Sequence, residues 1–294
     1  MKFGAVANPE AIDFTLPADH PDTKRILAEY KSDNAPFEVF VGCAKWNKTD
    51  LKGFYPKGTK DELAYYSQQF NSIELNSTHY GVPKIEQVVI WKEKTPANFK
   101  FFPKIPQTIS HFKRLIEVKT EVDNFVATMS HLDEKLGMIF LQVHDNFQPK
   151  DMSRVERFVA EFPKDVPLAI EVRNKTWFEG KAADEFYKIL QSYHVSNIIV
   201  DTAGRRDMLH MRLSSEEAFV RFVGANVASD YTRLDEWIDR IESWKEQGLQ
   251  KLYFFVHQNI EEASPLLSAH FIEKLNGRLG TNLRIPNDPN NPLP

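Results

Sequence analysis

The residues best suited to chemistry in this sequence are carboxylates and cations that interrupt apolar runs. Glu74 stands between Ile73 and Leu75, and Glu171 and Arg173 show the same apolar–polar alternation further along the chain. A carboxylate buried among aliphatic side chains is unfavourable unless it is paired with a cation or used in a reaction. Carboxylates serve as general acids or bases, and arginine and lysine stabilise oxyanions. The pattern therefore predicts a buried polar site with acid–base capability.

Alternation along each strand indicates which way the polar side chains point. Successive side chains of a strand face opposite sides of its sheet, so a polar residue between aliphatic neighbours faces away from the covering helices. The same rule, applied at the ends of other apolar runs, places more polar residues on that side: Asn76, Lys104, Gln142, His144, Asp201, Arg221 and His257. In a parallel barrel these strand ends meet at one face, where barrel enzymes hold their chemistry. We therefore expect the residues to share one site.

The candidate roles follow from charge and side-chain type. Glu171 is the candidate general acid or base, and Glu74 and Asp201 are further candidate catalytic carboxylates. The candidate substrate-binding residues are cations, amides and aromatic residues near the same strand ends: Arg173, Arg221, Lys104, Asn76, Tyr80, His111, Gln142, Trp46, Trp177 and His257. Such a set fits a small polar molecule that is anionic or carbohydrate-like.

Each candidate also has a purely structural interpretation. Glu171 and Arg173 can form an ion pair that only fills the end of a barrel. His111 can transfer a proton or bind an anion, and it can equally be an ordinary surface histidine. Trp46 and Trp177 can stack on a sugar or a flat ring, although tryptophans in loops more often pack within the protein.

The elements that must position these residues alternate between strand-like and helix-like patterns. Eight apolar runs are interpreted as strands: 38–43, 72–75, 99–103, 137–143, 168–172, 197–201, 219–223 and 252–256. Helical stripes separate most of them, except after Asp201, where Gly204 to Ser215 has no good helical pattern. We predict Gly277 as the stop of the last helix.

This order predicts one α/β domain, a (β/α)8 TIM-type barrel, with an open doubly wound sheet as the alternative. We assign the barrel to residues 36–280. An N-terminal arm over residues 1–35, interrupted by prolines, precedes it, and a proline- and asparagine-rich tail over 281–294 follows it.

Composition narrows the class of protein and its partners. The chain has 294 residues and a formal net charge of -4, which gives no basic surface for nucleic acid. No apolar run reaches the about 20 residues of a membrane span, and the first residues lack the pattern of a signal peptide. Cys43 is the only cysteine, which precludes an intramolecular disulfide. We therefore expect a cytoplasmic protein that binds a small molecule. Its oligomeric state is left open.

Five motifs carry a resemblance to a known family, in the family's order along the chain. They lie at Gly42–Trp46, Asn71–Tyr80, Lys104–His111, Glu171–Trp177 and Val220–Gly224. Together they resemble the YecE-like family, domain of unknown function 72, from about residue 38 to 275. The resemblance implies a single TIM-type barrel and no established activity.

Four positions depart from the pattern of that family. Val223 stands where the family usually has a histidine, Asn174 follows Arg173 where a histidine is usual, and His144 and His257 lie in segments that differ from the family's. These departures support a non-catalytic binding or scaffold barrel as one interpretation.

Two enzymatic interpretations stand beside it. The favoured one is an acid/base-type hydrolase, lyase or isomerase that needs no metal and no cofactor. The other is a metal-dependent hydrolase or isomerase, with His144, His257 and the carboxylates as ligands. No HxH or HExxH spacing supports a metal site, and the nearby arginines and lysine oppose the binding of a cation.

Overall fold

Eight parallel strands form a barrel in the structure, a computed structural model that describes residues 4–32, 36–290 and 293. The strands are β1 (Glu38–Cys43), β2 (Ser72–Leu75), β3 (Lys100–Pro103), β4 (Ile139–Gln142), β5 (Leu168–Glu171), β6 (Ser196–Thr202), β7 (Glu217–Gly224) and β8 (Lys251–Gln258). β1 pairs with both β2 and β8, and two isolated parallel bridges, Phe101 with Leu136 and Lys104 with Phe140, join β3 to β4. The prediction of a TIM-type barrel is confirmed.

The helices are α1 (Pro21–Tyr30), α2 (Glu62–Gln69), α3 (Ile85–Glu93), α4 (Lys119–Met129), α5 (Met152–Glu161), α6 (Gly180–Ser192), α7 (Ser229–Gln247) and α8 (Ser264–Leu279). Between β6 and β7 the chain forms only a short 3-10 segment, Ala203–Met208, where the sequence has no helical pattern. Within the described ranges, no helix has both the length and the apolar character needed to cross a membrane.

The last helix ends later than the sequence indicates. Gly277 lies inside α8, and the helix ends at Gly280, whose φ of 70° is in the left-handed region that glycine adopts without strain. The prediction of Gly277 as the stop was therefore wrong by one helical turn.

Aromatic side chains fill the interior of the barrel below its C-terminal end. Phe102 and Phe219 lie against Phe255, with ring centroids 4.9 and 5.2 Å apart, and Phe140 lies 5.7 Å from Phe219. These rings are fully buried. A barrel interior packed in this way is a core rather than a pore. The polar residues at the C-terminal end therefore lie above a layer of buried aromatic side chains.

The two terminal segments pack against the barrel. In the N-terminal segment, Pro21 occupies the first turn of α1, where proline's missing N–H is tolerated, so it starts a helix instead of interrupting one. In the C-terminal tail, the backbone N–H of Asn287 donates to Gln69 at 2.7 Å, and its amide donates to the Phe54 carbonyl at 2.8 Å. The described part of the tail is thus bound along α2 and the loop before it.

Candidate functional site

Arg221 on β7 lies at the centre of the polar side chains at the C-terminal end of the barrel. Its Nε and Nη2 donate to the two oxygens of Glu74 at 2.9 and 2.8 Å, and its Nη1 donates to Glu171 Oε2 at 2.5 Å. Both carboxylates are fully buried. Arg221 is in register with Val200 on β6 and Phe255 on β8, which share its inward face. One guanidinium therefore holds two buried carboxylates, one from β2 and one from β5.

On the Glu171 side, a chain of hydrogen bonds leads to a buried lysine. Arg173 Nε and Gln142 Nε2 both donate to Glu171 Oε1, at 2.5 and 2.8 Å. Lys104 Nζ donates to Gln142 Oε1 at 2.8 Å. Gln142 thus connects a carboxylate to an amine, although the two charges do not touch.

On the Glu74 side, an amide and an imidazole complete the hydrogen bonds of the carboxylate. Asn76 Nδ2 donates to Glu74 Oε1 at 2.7 Å, and His257 Nε2 lies 3.0 Å from Glu74 Oε2. We call the whole set the mouth network: Glu74, Asn76, Lys104, Gln142, Glu171, Arg173, Arg221 and His257. Five of these residues lie on strands, and Asn76, Lys104 and Arg173 lie just after β2, β3 and β5; the structure brings all eight into one connected group.

The cations around the two carboxylates keep both ionised. Burial by itself raises the pKa of Glu171, but the adjacent Arg173 and Arg221 outweigh it and lower that pKa to about 2. Arg221 and His257 likewise outweigh burial at Glu74 and hold its pKa well below the usual range. Neither residue therefore carries a proton to donate at neutral pH, so the general-acid role expected for Glu171 does not fit its surroundings.

Lys104 has the opposite electrostatic environment. Burial lowers the pKa of its amine, and the positive charges of Arg221 and Arg173 lower it further, to about 7. An amine with a pKa near neutrality exists in both protonation states, which suits it for proton transfer. The sequence indicated Lys104 only as a charge-stabilising group, because its spacing does not reveal how deeply it is buried.

Two adjoining cavities, of about 580 and 490 Å³, open above the mouth network. Both are lined by Lys45, Asp50, Arg221, His257 and Glu261. The larger cavity is lined in addition by residues from the loops after β1, β2 and β3, among them Trp46, Asn76, His79, Tyr80 and Lys104. The smaller one is lined by Arg173 and Val223. The network therefore faces a space that can hold a small molecule.

Asp201 does not lie in the mouth network. Val200 takes the inward position on β6, so Asp201 faces outward against α7, where Trp237 Nε1 donates to it at 2.9 Å. Arg233 lies 3.0 Å from Asp201 Oδ1, and Arg206 also hydrogen-bonds to that oxygen. We call these four residues the sealed network. The expectation that Asp201 faces inward was wrong, because β6 is buried along its whole length and its alternation does not distinguish the two faces.

Trp177 also lies away from the cavities. Its side chain is fully buried, its indole N–H donates to the Phe147 carbonyl at 2.8 Å, and its ring stacks on that of Phe147. A ligand cannot reach either face of this ring, so the expected stacking role is corrected to core packing.

The remaining candidates lie at the rim. Tyr80 is 78% exposed and Trp46 packs edge-on against Trp91. The ring of His111 lies 4.9 Å from that of His79 and accepts or donates a hydrogen bond with Ser110 at 2.8 Å. Trp46 and Tyr80 line the larger cavity.

His79 lines the larger cavity, and the sequence analysis did not single it out although it stands next to Tyr80 in the Asn71–Tyr80 motif. The chain leaves β2 at Leu75 and turns into a 3-10 segment, Asn76–His79, where strand alternation no longer indicates direction. Burial, with Lys104 nearby, lowers the pKa of His79 to about 4. The same causes, together with His79 itself, lower the pKa of His111 to about 4.

The donor set of the site suits an anion better than a cation. The two carboxylates are committed to Arg221, Arg173 and His257, and Lys104 adds a further basic group. In the described parts of the chain, no group of three or more His, Cys, Asp or Glu side chains is arranged to hold a metal ion. The arrangement can bind a negatively charged group and exchange protons with it through Lys104.

Comparison with known proteins gives a family and no reaction. The chain is 26% identical over 242 residues to the UPF0759 protein YecE of Escherichia coli strain K12, which covers 74% of this chain and 86% of the relative. It is 23% identical over 239 residues to the UPF0759 protein YunF of Bacillus subtilis strain 168, and the match covers 76% of this chain and 81% of YunF.

Solved structures show the same fold. A DUF72 family protein from Thermotoga maritima superposes with a TM-score of 0.67 at 24% identity, covering 81% of this chain and 99% of the other. A DUF72 family protein from Enterococcus faecalis gives a TM-score of 0.67 at 18% identity, and the match covers 83% of this chain and 99% of the other. The family model described as "Protein of unknown function DUF72" matches residues 40–291. The chain therefore belongs to the DUF72 family.

Proposed function

We propose that this protein is an enzyme that binds a small polar anion in the mouth of the barrel and transforms it by proton transfer, as an acid/base-type hydrolase, lyase or isomerase. The observation that carries the proposal is the position of Lys104, a buried amine at the wall of a cavity of about 580 Å³ and next to two arginines. Groups with displaced pKa values in a cavity are typical of functional sites.

The geometry supports a division of labour among the charged residues. Glu171 and Glu74 orient Arg173 and Arg221, because each carboxylate is ionised and hydrogen-bonded to a guanidinium. Arg173 lines the smaller cavity and would bind the anionic group of the substrate. Lys104 would exchange the proton, and Trp46 and Tyr80 at the rim would contact the rest of the molecule. Glu171 thus acts through Arg173, as a positioning residue.

The test is a thermal-shift panel of small molecules in matched pairs. Each pair consists of an anionic compound and its neutral analogue, either a carboxylate with its amide or a phosphate ester with its alcohol. We expect the anionic members to raise the melting temperature and their neutral partners to leave it unchanged. Calorimetry on a positive compound should then show that Arg173→Ala weakens binding by about tenfold or more, as expected for loss of a charged hydrogen-bond donor. Equal responses of the anionic and neutral members would contradict the proposal.

A second candidate function is a binding barrel without turnover. It is favoured by one observation, namely that both buried carboxylates are already occupied by ion pairs. NMR of a bound compound incubated with the protein separates the two candidates. Conversion that is lost in Lys104→Met supports the enzyme, and binding with no conversion of any compound supports the binding barrel.

A further inference from the structure

Among the described residues two lysines are buried, Lys104 and Lys135, and their hydrogen bonds differ. Lys135 Nζ donates to the carbonyls of Lys92 and Thr95, both at 2.6 Å, and these acceptors support its positive charge. Lys104 Nζ has one hydrogen bond among the described residues, to Gln142 Oε1 at 2.8 Å, and no ion pair of the mouth network includes it. An ammonium carries three donors, and the described side chains and carbonyls accept from one of them at Lys104.

The donor count fits a different chemical form of the same nitrogen. A protonated imine formed on a lysine keeps one N–H, which needs one acceptor, and the Gln142 oxygen provides it. The nitrogen also lines the larger cavity, where a reaction partner has access to it. An uncharged amine is the nucleophile in such a reaction, and burial beside other cations is a known way to make lysine uncharged near neutral pH.

We propose that Lys104 forms a Schiff base with an aldehyde or ketone whose anionic group is bound at Arg173. The inference rests on the proposed function, since it names the carbonyl class of substrate for the same site. The amine lone pair forms a bond to the carbonyl carbon, which gives a carbinolamine. The C–O bond then breaks, and the oxygen leaves as water with both protons of the amine. The product is an imine, which takes a proton from solvent to become the iminium ion.

The mouth network supplies what this step requires. Arg221 and Arg173 oppose protonation of the free amine, and the charge of the iminium ion is balanced when the substrate brings a negative group of its own. Glu74 and Glu171 are held by the arginines and are not placed against Nζ. His79, in the 3-10 segment after β2, and His257, on β8, line the same cavity as Lys104.

Glyoxylate with sodium cyanoborohydride tests the inference directly. The reductant delivers hydride to the iminium carbon and leaves a carboxymethyl group on the reacting lysine, which peptide mass spectrometry locates. At pH 7 we expect Lys104 to be labelled at least about tenfold faster than exposed lysines, because a far larger fraction of its amine is unprotonated. The labelling should disappear in Lys104→Met and persist in Lys135→Met, the matched buried control.

The labelling rate of Lys104 in the wild-type protein is a test that needs no variant to fold. Inorganic phosphate, an anion with no carbonyl, should slow labelling at Lys104 and leave exposed lysines unaffected. Labelling of Lys104 no faster than that of exposed lysines overturns the Schiff base. If labelling is slow while Arg173-dependent anion binding persists, only the Schiff base is contradicted. If anion binding is also absent, the proposed function is contradicted as well.

Discussion

The mouth network and the sealed network are two buried clusters of carboxylates and arginines, and they face opposite sides of the same sheet. In the mouth network, Arg221 bridges Glu74 and Glu171 on the inner face, beneath open cavities. In the sealed network, Asp201 is bound by residues of the outer face and α7. The mouth network contains two fully buried carboxylates and the sealed network one, and all three contact guanidinium groups. Burial and ion pairing alone therefore do not identify a functional site.

What differs is what covers each network. The ring of Phe14, in the N-terminal segment, lies 4.0 Å from the Arg233 guanidinium, and the Phe14 carbonyl accepts from Arg206 at 2.9 Å. The sealed network thus binds the N-terminal segment to β6 and α7, and it lies under protein, although the buried Nε of Arg233 has no hydrogen-bond partner among the described residues. The mouth network has an amine with one acceptor and space above it. Because the sealed network also has an unpartnered buried atom, it is the adjoining cavity that distinguishes the mouth network as the candidate ligand site.

The largest effect expected is on stability, when the mouth network loses its central cation. Arg221→Met leaves two buried carboxylates without their shared partner, so the free energy of unfolding should fall by about 3–5 kcal/mol. Urea denaturation followed by circular dichroism measures the change. A loss below about 1 kcal/mol would show that water from the cavity replaces Arg221 as the partner of the two carboxylates.

Acid should weaken the mouth network in a defined window. The pKa of Glu171 is about 2 in the folded protein, below the ordinary value of 4.5 that applies when it is unfolded. The stability that its ionisation contributes is complete above pH 4.5 and is lost as the pH falls towards 2, and it amounts to on the order of 3 kcal/mol. Glu171→Gln should therefore have a shallower decline in unfolding free energy between pH 5 and 2. A decline as steep as that of the wild type would contradict the assignment.

A smaller effect is expected when the sealed network loses its charge. Asp201→Asn keeps the shape of the side chain and an oxygen that accepts from Trp237. Because the variant leaves Arg206 and Arg233 without their charged partner, we expect the free energy of unfolding to fall by about 1–3 kcal/mol. Anion affinity, measured by calorimetry on the folded variant, should stay at the wild-type value. A large loss of affinity would show that the two networks are coupled through the sheet and would break the comparison.

The smallest effect is expected at the rim of the cavity. Tyr80 is 78% exposed, so Tyr80→Ala should change the free energy of unfolding by no more than about 0.5 kcal/mol. Chemical denaturation checks this value. A destabilisation of about 2 kcal/mol or more would mean that Tyr80 packs against the loops instead of standing free over the cavity.

Sequence patterns were sufficient to predict the barrel and most of the inward faces. Strand alternation at Glu74 and Glu171 is unambiguous because aliphatic residues flank each of them, and the register of the strands then brings them to Arg221. Strand alternation was insufficient at Asp201, because β6 is buried on both faces and the pattern of its residues does not indicate which face Asp201 takes.

Three-dimensional packing decided the features that local patterns do not encode. Trp177 lies under the loop that carries Phe147, a contact across 30 residues that no local spacing indicates. His79 follows a turn out of β2, which ends the alternation. The lowered pKa of Lys104 arises from its burial and from the charges of Arg221 and Arg173, which lie far from it in the sequence, so only the assembled barrel reveals it.

The most direct test of the central claim is calorimetry of one anionic ligand with Arg173→Gln and Arg206→Gln. Each variant removes one guanidinium from one network, and each parent residue contacts a fully buried carboxylate. The account predicts that Arg173→Gln weakens binding by about tenfold or more while Arg206→Gln leaves the affinity unchanged. Equal losses in the two variants, or none in either, would contradict the claim that the mouth network is the ligand site.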